Sequence, residues 1–96
     1  MIYITEVRMS RGGEKHEHIE AVRWERQESP ETGESTRQEM VDWIRNKQGF
    51  AFVRDENGNE DEVIVVDADP PYIKTRGDNV SSDNLLSLPR YGVIQN

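Results

Sequence analysis

His16 and His18 stand two residues apart in the segment His16-Glu17-His18. Side chains alternate between the faces of a strand, so this spacing would present both imidazoles to one metal ion or one phosphate. Zinc sites normally use three or four ligands, and the sequence has no third histidine and no cysteine. Completion would fall to a carboxylate such as Glu20, or to a second subunit, and the chemistry would be metal-assisted hydrolysis. No nucleophile–base set accompanies the pair, so no residue is assigned as catalytic. Six residues beyond His18 comes Trp24, flanked by Arg23 and Arg26. An indole beside guanidiniums can stack a base or hold a phosphate. The candidate ligand-binding residues are therefore His16, His18, Arg23, Trp24 and Arg26, and their common chemistry is a small anionic ligand. The plain alternative makes the histidines structural, with Trp24 closing a core edge and the arginines paired to Glu20 and Glu25.

Two further motifs carry less. Asp55–Glu62, DENGNEDE, gathers five carboxylates around a turn, yet it lacks the residue spacing of an EF-hand calcium loop, and a solvated hairpin tip accounts for it. Arg76-Gly77-Asp78 matches a tripeptide that cell-surface receptors read, but its composition is that of a turn.

These residues must be positioned by a small set of elements. Thr36–Lys47 reads as an amphipathic helix, with Met40, Val41, Trp43 and Ile44 on one arc. Thr36 and Glu39 make a capping-box pattern, and Gly49 is the expected left-handed stop. Trp43, on the apolar arc, is expected in the core. Ile2–Met9 reads as a strand whose phase slips near Thr5 or Glu6, the mark of a bulge. Ser10–Glu14 is a turn, and His16–Gln27 the returning strand. Glu28–Ser35, ESPETGES, reads as a polar loop. Phe50–Arg54 and Asp61–Val66 flank Asn57-Gly58, the dipeptide of a two-residue hairpin turn. That turn pairs Phe52 with Val63 and Phe50 with Val65 on one face. Ala51, Val53, Ile64 and Val66 fall on the other, so both faces of the hairpin would be apolar. The helix covers one, leaving the other to Leu85, Leu86 and Leu88 or to a second copy of the chain. Tyr72–Thr75, after Pro70-Pro71, suits a sheet edge, and Arg76–Asn84 is a polar loop.

Ninety-six residues suffice for one domain with a thin core. The net charge of −7 sits almost wholly in residues 27–70, which argues against direct nucleic-acid binding. The same charge raises the alternative of an acidic nucleic-acid mimic that blocks a basic partner. Cysteine is absent, excluding disulfides, and no apolar run approaches the length of a membrane span. The N-terminus alternates like a strand rather than a signal peptide, so a cytoplasmic location is expected.

Several segments together resemble a known family. ITEVR, HEHIEAVRW, STRQEMVDWI and the ending PPYIKTRGDNVSSDNLLSLP are similar to those of a family of short, mainly bacterial proteins classed as a domain of unknown function. The ending carries the most specific pattern, Tyr72-Ile73-Lys74-Thr75 followed by Asn84-Leu85-Leu86-Ser87-Leu88-Pro89. The resemblance implies no activity, cofactor or catalytic residue. It does imply that the terminal leucines belong to the domain and dock on its sheet.

The sequence thus predicts an α+β fold: a small antiparallel sheet of about five strands in β-β-α-β-β-β order, with one helix packed on one face. The function expected is a binding domain, homo-oligomeric, taking a protein or a small anionic ligand and no cofactor.

Overall fold

The computed structural model describes residues 1–76 and 85–92. Gly77 and Asp78 of the Arg-Gly-Asp tripeptide, most of the polar loop before Leu85, and Asn84 of the terminal motif lie outside the described residues.

One helix packs on one sheet, as expected for the α+β class. The strands are β1 (Ile2–Met9), β2 (Ile19–Arg26), β3 (Thr32–Thr36), β4 (Ala51–Arg54), β5 (Glu60–Val66) and β6 (Tyr72–Thr75), with helix α1 (Arg37–Asn46) between β3 and β4. They form a six-stranded sheet in the order β3-β2-β1-β4-β5-β6. The additional strand is β3, which comes from the segment that reads as a polar loop. Among the described residues it is an edge strand paired only with β2. Three of its five residues are exposed and none is buried, so it needs no apolar alternation and left no trace of one. The sheet is mixed rather than antiparallel. β1 runs parallel to β4 at Ile2–Ala51 and Tyr3–Phe52, a pairing that the β2-β3-α1 connection makes possible.

The slip expected in β1 is a bulge. Its pairing with β2 shifts between Ile4 and Glu6, which returns Val7 to the buried side as Ile2 and Ile4 left it. The β4–β5 hairpin differs from its expected register by one residue: Phe52 pairs with Glu62, Val53 with Asp61 and Arg54 with Glu60. Its turn spans three residues, not two. The Gly58 amide donates to the Asp55 carbonyl, the Asp55 amide donates to the Asn59 carbonyl, and Gly58 alone takes a positive φ of 84°. That is a turn with a glycine bulge, which competes with the two-residue solution for the same Asn-Gly signal. The shift sorts the hairpin differently. Ala51, Val53, Val63 and Val65 face the helix side, while Phe50, Phe52, Ile64 and Val66 face outward.

The core lies between sheet and helix. Ile2, Ile4, Val7, Val22, Val53, Val63 and Ile73 from the strands meet Met40 and Val41 of α1 in one cluster. Each such side chain contributes about 1.5–3 kcal/mol when fully buried. The capping box forms as expected, with the Glu39 amide donating to the Thr36 hydroxyl and the Thr36 amide to the Glu39 carboxylate. The helix stop is different: Gln48, not Gly49, takes the left-handed φ, at 54°.

Leu85 is fully buried and joins this same cluster, with Leu86 and Leu88 packed against it. The terminal leucines therefore extend the helix-side core; they do not cover the outer face of the hairpin. The chain then runs beside β1 beyond the short β4 pairing. Val7 donates to the Pro89 carbonyl at 3.0 Å and accepts from the Tyr91 amide at 3.1 Å. β6 is the far edge strand, as its sequence suggested. No helix among the described residues is long and apolar enough to cross a membrane.

Candidate functional site

The two histidines do not lie on a strand. His16–His18 is a 3₁₀ turn ahead of β2, and with three residues per turn, positions two apart do not share a face. The His18 ring is engaged locally, since its Nδ1 accepts from the Glu14 and Lys15 amides, each at 3.2 Å. Those bonds fix the loop that leads into β2. His16 is half-buried and Glu20 exposed. Among the described residues no group of three His, Asp or Glu side chains stands close enough to hold a metal ion.

The remaining candidates separate along β2 and across it. His18 precedes Trp24 by six residues, about 20 Å along a strand at roughly 3.3 Å per residue. Arg23 and Trp24 alternate to opposite faces. Arg23 lies over the Tyr91 ring at 4.1 Å and pairs with Glu6 at 3.6 Å. Arg26 pairs with Glu31 at 2.7 Å. The arginines thus pair with Glu6 and Glu31 where the sequence suggested Glu20 and Glu25, because the bulge and the β2–β3 turn bring those carboxylates alongside. Trp24 and Arg26 are the candidates that the structure does bring together, with the guanidinium 5.7 Å from the indole centroid.

These two belong to a cleft of about 330 Å³ between α1 and the sheet. Ile2 and Met40, both buried, supply apolar lining, and Trp24 and Trp43 add two indoles. Each indole lies against a glycine. A β-carbon on Gly33 would overlap the Trp24 ring, and one on Gly49 the Trp43 ring. Trp24 is further fixed by its Nε1–H, which donates to the Ser35 hydroxyl at 3.1 Å. Arg26 and Lys47 bring positive charge to the rim, Glu39 and Asp42 negative. Both carboxylates are internally engaged. Glu39 accepts from the Thr36 amide, and Asp42 accepts from the Asn46 side chain at 2.7 Å and lies 3.9 Å from Lys47. Sequence reasoning placed Trp43 in the core and passed over Lys47. The available signal was Trp43 at the flank of the apolar arc, directly after Asp42.

Ionisation follows these bonds. The Thr36 amide, and then its hydroxyl, hold the Glu39 carboxyl below its ordinary value of 4.5. Asn59, through side chain and backbone, lowers Asp55 in the same way. Asp55 accepts from the Asn57 and Asn59 amides at 2.9 and 2.8 Å, so it serves the turn itself. Burial first, and the Glu34 carboxylate second, push the Tyr91 phenol well above its ordinary 10.0.

The acidic turn is likewise committed in part. Glu60 accepts from the Tyr3 hydroxyl at 2.8 Å and pairs with Arg54, and Glu62 pairs with Arg76 at 3.0 Å.

Neither the curated proteins nor the solved structures compared with this chain include a match. A family does match, over residues 3–89, which takes in the cleft apart from Ile2, together with the terminal leucine motif. The chain belongs to DUF3892, a family of proteins of unknown function.

Proposed function

We propose that this domain acts by binding a small, flat aromatic ligand that carries one anionic group, in the cleft between Trp24 and Trp43. The observation that carries the reading is the pair of indoles above buried Ile2 and Met40, with Arg26 and Lys47 beside them. A pocket of this size, with two indoles and two aliphatic side chains set among four charged residues and Ser35, falls in the range of small-molecule sites. Stacking on indole supplies the attraction, and a carboxylate or phosphate on the ligand would meet the two cations. Glu39 is held by the helix cap, and a ligand anion would share Lys47 with Asp42 and Arg26 with Glu31, their partners in the free domain. Titration of tryptophan emission with a phosphate-free aromatic acid such as 4-hydroxybenzoate tests the reading. Saturable quenching that weakens in Arg26→Gln supports it; emission unchanged to millimolar ligand overturns it.

A second reading, self-association, is favoured by the outward face of β4–β6. Phe50 is 55% exposed, and Phe52, Ile64, Val66 and Tyr72 are only half-buried on the same face. Contiguous apolar surface of this kind marks interaction sites more often than solvent-facing sheet. A second copy of the chain is the partner proposed. Sedimentation equilibrium distinguishes the outcomes: a dimer that Phe50→Ser dissociates supports the reading, and a monomer at high concentration removes it.

A further inference from the structure

A second cleft, of about 590 Å³, opens where the end of β1, the following turn and the chain after Pro89 meet. Arg8, Arg11 and Arg90 all line it. Arg8 and Arg11 are near neighbours in sequence, and the fold brings the distant Arg90 to them. Val7 holds the backbone on both sides of Arg90, through the Pro89 carbonyl and the Tyr91 amide, which places Arg90 beside the strand that carries Arg8. The turn bearing Arg11 is closed by the Gly13 amide donating to the Ser10 carbonyl at 2.8 Å, with Gly12 at a φ of 74° and open space where its β-carbon would be.

Bare backbone shapes the opposite wall too. Gly92 has a φ of 67°, and a β-carbon there would come within 2.8 Å of the Arg8 side chain, so the missing side chain gives Arg8 its path. Glu14 and Glu20 also line the cleft. Among the described residues no carboxylate forms an ion pair with Arg8, Arg11 or Arg90, whereas Arg23, Arg26, Arg45, Arg54 and Arg76 each have one. Three arginines therefore line one cleft, none of them in an ion pair with a carboxylate among the described residues, in a protein whose net charge is −7.

We propose that this cleft is a binding site for a compact phosphate-type anion, separate from the indole cleft. Guanidinium forks match phosphate oxygens bidentately, and three of them around one space suit a ligand with several oxygens. The ligand is a small molecule rather than a nucleic-acid strand. Glu14 and Glu20 repel an anion that extends past the arginines, and the acidic middle of the chain repels a long one.

Calorimetric titration of the full chain with inorganic pyrophosphate, at fixed ionic strength, tests this. Saturation at one equivalent is expected, with Arg11→Gln and Arg90→Gln each weakening binding about tenfold, the loss of one charge-assisted contact. Both residues are exposed, so the fold is not at stake. Arg26→Gln, at the indole cleft, leaves pyrophosphate binding unchanged. The proposal is overturned by no saturable heat, by full binding in the Arg11→Gln/Arg90→Gln double variant, or by dependence on Arg26. Tighter binding of a single-stranded oligonucleotide than of pyrophosphate would also overturn it, in favour of an extended ligand.

Discussion

Gly49 lies directly against the Trp43 indole, and the space a methyl group would need there is already filled by the ring. The Gly49 amide also donates to the Trp43 carbonyl at 3.0 Å, so the residue that follows the helix is bound back to it at both backbone and ring. Overpacking such a contact costs about 1–3 kcal/mol. Gly49→Ala is expected to lower stability by that amount in urea denaturation and to shift tryptophan emission, because the ring must leave its seat. Gly33→Ala is expected to do the same through Trp24.

Leu85 tests the terminal motif. It is fully buried in the cluster that α1 and the strands share. Leu85→Ala should cost about 2–5 kcal/mol, the range for truncating a buried leucine. Leu88→Ala, only half-buried, should cost clearly less. Equal and small effects from both, measured by thermal or chemical unfolding, would mean that the segment adds nothing to the core.

Helix stability should respond to acid through Glu39. Its carboxyl is held below 4.5 in the folded state, chiefly by the Thr36 amide. A carboxyl with a depressed folded value stabilises the fold above 4.5, and that contribution disappears as pH falls through the folded value. Glu39→Gln keeps an acceptor for the Thr36 amide but removes the titration. The variant should show a shallower loss of stability below pH 4.5 than the parent, read from unfolding midpoints across pH.

Tyr91 governs the alkaline side. The residue is 9% exposed, and its hydroxyl has no hydrogen bond of ordinary geometry among the described residues. Burial and Glu34 raise its folded value, so its contribution is complete below pH 10 and lost as pH rises beyond that. Ultraviolet titration should find it ionising only above pH 10, together with unfolding. Tyr91→Phe removes a buried unpaired hydroxyl and should leave neutral-pH stability unchanged or raise it by up to about 1 kcal/mol.

What the sequence disclosed follows the range of each interaction. Thr36 and Glu39 announced the helix start because a capping box is complete within four residues. Thr5 betrayed the bulge because a phase slip is visible along a single strand. Asn57-Gly58 was ambiguous because a two-residue turn and a turn with a glycine bulge both want Gly58 at positive φ. One residue of register then exchanged which β5 side chains share a face with those of β4. β3 was invisible since an exposed edge strand has no buried face to write into its sequence. The parallel β1–β4 pair and the docking of Leu85 on the helix side are long-range outcomes with no local sign. At the candidate cleft, Trp24 and Arg26 were legible as an indole beside a guanidinium. Trp43 was not, because an aromatic residue on an apolar arc reads the same whether it fills a core or borders an opening.

The space between the two indoles is the ligand site proposed for this domain, and the indoles themselves can report on it. The chain has two tryptophans, so its indole Nε1–H groups give two signals in a nitrogen–proton correlation spectrum. On titration with 4-hydroxybenzoate both should shift together and saturate at one equivalent, with the largest backbone changes at residues lining that cleft. Indole signals that stay fixed to millimolar ligand, or shifts gathered elsewhere on the surface, would refute the assignment.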